Sequence, residues 1–411
     1  MKIKVLIILL FTSIIGYAQV KTDNLPKTYE FNIYDGSESF TMHQFTQNYV
    51  AGYRILSRTL DDLIPNKKIS TATKVLFIGL FSQPLTHEEG HRSVLTAKGI
   101  GSINQPFFNS AGAAYVKGVR DAELINLRNN DISNYIRLHT AGLESDHRIA
   151  NKIEELVFFE EESYSILREE YVLRKLGLIF YHSTSLTPSI SLDLKEEDNE
   201  LERDIVGHDI WGAVRHLHRP NTPFFRYTRF DDLTNVEKKY ARGLAWKSFS
   251  NILSPMLFGK TNFRVNPNLK GNFSIVHDLS PFGDYFEQNF YLSVKEKYKF
   301  VFYFREFMNK DNTFFAGGVK LYNHRIYNKL NASMGFDVWN QPLNLSFISS
   351  EGKLGANTFL KLNYSAIQRE SSFIKSIGLF SEFFYKSEGF LPEYGSLDSD
   401  FGIRFGIQFS Y

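Results

Sequence analysis

The C-terminal segment constrains the fold more than any other stretch. Phe401-Gly402-Ile403-Arg404-Phe405-Gly406-Ile407-Gln408-Phe409-Ser410-Tyr411 puts Phe, Ile or Tyr at every odd position and Gly, Arg, Gln or Ser at every even one. Successive side chains of a strand point to opposite faces, so this segment has one wholly apolar face and one polar, glycine-containing face. The same period of two begins near residue 256. It is clearest in Tyr298-Lys299-Phe300-Val301-Phe302-Tyr303-Phe304-Arg305 and in Leu330 to Val338, and recurs near 270–277, 284–296, 313–323, 342–350, 354–367 and 373–386. Turn signals divide these stretches, among them Lys310-Asp311-Asn312, Asn340-Gln341-Pro342 and Ser350-Glu351-Gly352. Strands of about ten residues with an aromatic face and a polar face are what a transmembrane barrel requires. A secreted antiparallel sandwich or barrel with an ordinary core would use a similar pattern.

Composition sharpens the choice. Aromatic residues make up 15% of the 411, with 38 Phe and 22 Tyr, yet mean hydropathy is only −0.25. No apolar run beyond the N-terminus approaches the roughly 20 residues of a spanning helix, so the rings belong to the alternating C-terminal third. Lys+Arg (47) and Asp+Glu (45) nearly cancel, leaving +2 without a basic tract, which argues against a nucleic-acid partner. There is no cysteine. Disulfides, thiol nucleophiles and thiolate zinc sites are therefore excluded, and any metal must be held by His, Asp or Glu. Met1-Lys2-Ile3-Lys4, the apolar stretch Val5 to Ile15 and Gly16-Tyr17-Ala18 read as a secretory signal peptide over 1–18, so the protein is expected to be exported.

Residues 19–70 read as a leader strand around Tyr29 to Tyr34 followed by a helix from Tyr49 to Leu63. Helical spacing dominates 71–255, with one long amphipathic helix over 143–176 and another from Val236 to Leu253. The charged run Lys195 to Asp204 reads as a solvated loop or helix face. The expected fold class is α+β, with a mainly helical domain over 71–255 followed by an antiparallel β-barrel of about eight to ten strands over 256–411. A final amphipathic strand that stops on an aromatic residue resembles the assembly signal of Gram-negative outer-membrane β-barrel proteins. That resemblance implies outer-membrane lipid and the barrel-assembly machinery as partners; from sequence order, a helical domain preceding the barrel is expected to face the periplasm.

His87-Glu88-Glu89-Gly90-His91 carries the chemistry, because it fits H-E-x-x-H. On a helix the two histidines share one face and can bind one Zn²⁺, while Glu88 reaches the coordinated water as general base for attack on a peptide carbonyl. Thr86-His87-Glu88-Glu89 also fits a capping box, which would leave the histidines incidental.

A catalytic zinc needs a third protein ligand. His139-Thr140-Ala141-Gly142-Leu143-Glu144-Ser145-Asp146-His147 opens the long amphipathic helix. Over about 80–150 the chain resembles gluzincin metallopeptidases and, loosely, their CAAX-prenyl-protease-like relatives. The resemblance implies Glu144 as third ligand, Asp146 as a group orienting a histidine, and a peptide or protein substrate. In the cluster Gly207-His208-Asp209 to His218, the same resemblance makes His208 a candidate oxyanion donor. Two other readings stay open. Glu88-x-x-His91 and Glu144-x-x-His147 form half of a di-iron carboxylate ligand set, which Glu123 and Glu237 could complete. The chain could also be a non-enzymatic barrel, a channel or assembly factor, with a helical periplasmic domain.

Overall fold

A computed structural model describes residues 27–36, 40–109, 112–191, 196–369 and 374–411. The expected signal peptide over 1–18 lies outside them. Strand β1 (Thr28–Asp35) leads into helix α1 (Met42–Leu63), then α2 (Lys67–Phe77), a π-helical turn (Ile78–Ser82) and α3 (Gln83–Ala97). A small hairpin, β2 (Ile103–Gln105) and β3 (Tyr115–Lys117), precedes α4 (Asp121–Asn130), α5 (Ile132–Phe158), α6 (Tyr164–Ser183), α7 (Asp209–His218) and α8 (Asn235–Ser248). The remainder is strand: β4 (Phe263–Asn266), β5 (Leu269–Ser280), β6 (Gly283–Val294), β7 (Tyr298–Met308), β8 (Thr313–Tyr327), β9 (Leu330–Pro342), β10 (Gly352–Gln368), β11 (Ser376–Lys386) and β12 (Asp400–Ser410).

The α+β class and the switch to strands therefore hold. The expected helix over 143–176 is two helices, α5 and α6, separated by a turn in which Glu160 has φ +61°. The segment expected as a strand over 342–350 is a short 3₁₀ turn and loop between β9 and β10.

Ten strands form one antiparallel sheet in the order β1-β12-β11-β10-β9-β8-β7-β6-β5-β4. The leader strand is thus part of the C-terminal sheet, with Thr28 opposite Ser410 and Phe31 opposite Ile407. The two edge strands do not pair with one another among the described residues. Helix α1 covers β1, and the 3₁₀ segment Phe249–Leu253 with Ser254 covers β5 where it runs beyond β4; β4 itself is exposed. On β1, the Asn32 N–H donates to Asn48 Oδ1 (2.6 Å), Asn48 Nδ2 donates to the Asn32 carbonyl (2.9 Å) and Arg54 Nη1 donates to the Thr28 carbonyl (2.9 Å). Beyond short β4, Asn251 exchanges two 3.3 Å hydrogen bonds with the backbone of His277 on β5, and Ser254 Oγ bonds the Ile275 N–H and carbonyl. An open edge exposes unpaired N–H and C=O groups, and here side chains satisfy them.

The sheet is inside-out relative to a soluble sandwich. On β12, Phe405 is 45% exposed and Arg404 only 4%. Following the register across the sheet, Phe273, Phe290, Phe302, Val319, Phe336, Thr358, Tyr385 and Phe401 are successive partners, and every one is exposed. The opposite face is concave, polar and wrapped around α5. There Arg305 Nε donates to Glu287 (2.9 Å), Asn151 donates to Glu287 (2.9 Å), and Lys320 pairs with Glu155 (2.6 Å) and Arg404 with Glu382 (2.6 Å). Buried charges are tolerated when paired in this way. Among the described residues, no helix is long and apolar enough to cross a membrane.

Candidate metal centre

The sequence from Lys67 to Ala97 is helical throughout, with Ser70, Lys74, Ile78, Ser82, Thr86 and Gly90 all buried. That stripe repeats every four residues, longer than the 3.6 of an α-helix. The π turn supplies about half of the accumulated difference by inserting one residue, roughly 100° of rotation. Without it Leu80, which is exposed, and His87 would lie on one face. With it, His87, Glu88 and His91 turn inward against α5. The capping-box reading fails here: Thr86 Oγ1 donates back to the Ser82 carbonyl (2.9 Å), and Glu89 pairs with Arg92. Pro84 sits directly after the π turn, at the start of α3.

Glycines bring α3 and α5 together. A Cβ at Gly90 would meet the Ala141 carbonyl carbon at 2.8 Å and Ser145 Cβ at 2.9 Å. A Cβ at Gly142 would lie 2.5 Å from His91 Nε2, 2.6 Å from His87 Cδ2 and closer still to His87 Nε2. The two ring nitrogens therefore converge on a space that only a residue without a side chain leaves open.

Asp209, the first residue of α7, completes the group. Its Oδ2 lies 3.1 Å from His87 Nε2 and 3.5 Å from His91 Nε2. His87, His91 and Asp209 are the one set of three metal-capable side chains with mutually close ligand atoms among the described residues. The outward nitrogens are also fixed. His87 Nδ1 is 3.0 Å from Asp146 Oδ2, and His91 Nδ1 is 2.6 Å from the Leu138 carbonyl. Asp146 is in turn held by Arg174. Such outer partners set the tautomer and aim of a metal-binding imidazole. Two nitrogens and one carboxylate oxygen with a buried orienting carboxylate suit a catalytic zinc, which keeps one position open.

The electrostatics agree with a site made for a cation. Burial opposes charge on both imidazoles, but Asp209 overcomes it and raises each above its ordinary value, assisted at His87 by Asp146. Asp209, though buried, is held well below the usual carboxylate range by His91 and His87. Binding of a cation there would compete with protons for the two histidines. Burial pushes Glu88 up despite the neighbouring imidazoles. Burial, then the charge of Glu88, pushes Asp204 up to about 7.

The other sequence candidates lie elsewhere. Glu144 is buried in a two-pronged pair with Arg137 (2.8 and 3.1 Å) and accepts the Glu393 N–H (2.9 Å); it is not in the His87–His91–Asp209 group. His208 stacks on Trp211 with centroids 3.6 Å apart, and its Nε2 lies 2.9 Å from Thr184 Oγ1. Burial lowers its pKa to about 3, so it is neutral. The di-iron set is not assembled. His147 lies 3.2 Å from Asp278, Glu237 binds Arg219 (2.6 Å), and Glu123 caps α4 through the Arg120 N–H (3.0 Å).

Sequence reasoning missed Asp209: it placed the third ligand at Glu144 and named the neighbouring His208 only as an oxyanion donor. Its signal was the dense Gly207-His208-Asp209 cluster at a helix start, where a carboxylate is favoured by the helix dipole. It also missed Tyr181, whose Oη accepts the Asp209 N–H (3.1 Å) and whose ring lies 5.9 Å from that of His87. No protein-family model, curated protein or solved structure matches this chain.

Proposed function

We propose that this chain is a zinc-dependent peptidase seated in the outer membrane by its sheet. The observation that carries the enzymatic part is the convergence of His87 Nε2, His91 Nε2 and Asp209 Oδ2 over Gly142, beside buried Glu88. Bound zinc would supply Lewis acidity and make a water acidic near neutral pH. The rest is done by the chain. Asp146 and the Leu138 carbonyl fix the imidazoles so that both Nε2 atoms stay aimed inward. Glu88, with a carboxyl pKa raised by burial, is the proton acceptor on the motif helix, and a raised pKa suits a base that must later return the proton. Tyr181 receives the Asp209 N–H on its oxygen, so its own hydroxyl hydrogen remains a donor for the carbonyl oxygen of a substrate. Burial, then the Asp209 charge, keeps that phenol protonated. This donor takes the place first given to His208.

The membrane reading rests on the exposed apolar rows and the buried charges of the sheet, the distribution that lipid selects. In this reading α1 and the 3₁₀ segment after α8 fill the gap between β1 and β5 in place of a closing strand pair, since lipid does not tolerate open backbone edges. The C-terminal strand then serves as the signal for the barrel-assembly machinery. The polar side of the sheet and α5 together line a cavity of about 250 Å³ whose charged groups are largely ion-paired. That filling supports an anchoring role for the sheet over an open channel.

Metal analysis of the purified protein, with Glu88→Gln alongside, tests the enzymatic reading. One zinc per chain and a variant that keeps zinc but loses peptide hydrolysis are expected. No stoichiometric zinc, or unchanged hydrolysis in the variant, would refute it.

A further inference from the structure

The two rims of the sheet differ. One rim carries both ends of the sheet-forming chain, Thr28 and Ser410, and the connections 267–268, 295–297, 328–329 and 369–375. The other carries 281–282, 309–312, 343–351 and 387–399, and is where the helical insertion leaves β1 and rejoins β4. Contacts place the metal centre at this second rim. Arg137 Nη1 donates to the Gly395 carbonyl (3.0 Å), and Glu144, two residues from Gly142, accepts the Glu393 N–H (2.9 Å). His218, at the end of the Asp209 helix, packs on Phe347 with centroids 4.7 Å apart. The far end of α5 reaches the first rim, where Lys299 Nζ donates to the Phe159 carbonyl (3.1 Å) and Lys270 pairs with Glu160 (3.0 Å).

Outer-membrane barrels keep short turns on the periplasmic side and long connections outside. Here the long connections and the metal centre share one rim, and the short connections lie mostly on the other. We infer that the metal centre opens to the cell exterior, so that its substrate is an extracellular or surface-exposed peptide chain. The inference rests on the membrane reading above, and it reverses the expectation from sequence order that a helical domain preceding the barrel faces the periplasm.

The absence of cysteine makes the test direct. Asp231→Cys and Asp311→Cys report on the metal rim, and Glu296→Cys and Lys329→Cys on the other; all four positions are exposed. Each full-length variant is expressed in Gram-negative cells and treated with a membrane-impermeant maleimide, before and after permeabilising the outer membrane. Unchanged zinc content checks that the variants fold. The first pair should label in intact cells, while the second pair should label about tenfold less until permeabilisation. Labelling of the second pair alone in intact cells, or of neither pair, overturns the outward orientation. Recovery of the protein in the soluble fraction sinks the membrane reading itself, a distinct failure.

Discussion

Gly142→Ala tests the metal geometry without touching a ligand. An added Cβ would lie 2.5 Å from His91 Nε2, whereas ordinary van der Waals contact starts near 3.4 Å. The ring must therefore retreat by about 0.9 Å (3.4 − 2.5), and His87 by at least as much. Metal sites hold their distances within about 0.2 Å, so displacement on this scale should cost zinc affinity at least about a hundredfold. Stability should move less. Overpacking costs about 1–3 kcal/mol, and replacing a mid-helix glycine with alanine returns about 1, leaving a net loss of about 0–2 kcal/mol. Gly52→Ala is the control, because nothing lies within 4 Å of its added Cβ. It should keep zinc and gain stability. Competition titration with a zinc chelator and thermal unfolding, each on the three proteins, give both quantities. Zinc affinity within a few-fold of wild type in Gly142→Ala would show that the imidazoles do not meet over that glycine.

Other substitutions separate ligands from neighbours. Asp209→Asn should abolish stoichiometric zinc by equilibrium dialysis while leaving the fold intact. Glu144→Gln should retain zinc yet lose about 3–5 kcal/mol in denaturant unfolding, because it strands the buried Arg137 guanidinium. Asp146→Asn should weaken zinc binding about 10- to 100-fold by freeing the His87 ring, read by the same chelator titration. Asp204 gives a pH signature. Its folded pKa of about 7 lies above the unfolded value near 4, so between these values the folded state binds more protons and its stability falls as pH rises. Asp204→Asn should remove that fall in metal-free protein, up to about 4 kcal/mol between pH 4 and 7. An unchanged pH profile would contradict it.

What the sequence made legible was local. The strand alternation after residue 256 comes from neighbours two apart, and it survives because one face of each strand meets one environment throughout. H-E-x-x-H is similarly local, as a pattern within one helical turn. Pairing between distant segments was hidden. Nothing in Thr28 to Asp35 names β12 as its partner, and Asp209 is distant in sequence from His91 and looks like any helix-start carboxylate. Glu144 was a reasonable candidate because it is on α5, the helix facing the motif. On that helix, however, Gly142 and Asp146, four residues apart, share the face turned to His87, while Glu144 points to Arg137. The π turn also escaped sequence reasoning, since its residues, Ile78-Gly79-Leu80-Phe81-Ser82, look like ordinary helix.

The central claim is most directly tested by an anomalous difference map collected at the zinc edge from crystals of the zinc-loaded protein. The account predicts one peak, bonded to Nε2 of His87, Nε2 of His91 and a carboxylate oxygen of Asp209. A peak on Glu144, or no peak between the two motif histidines, would contradict it.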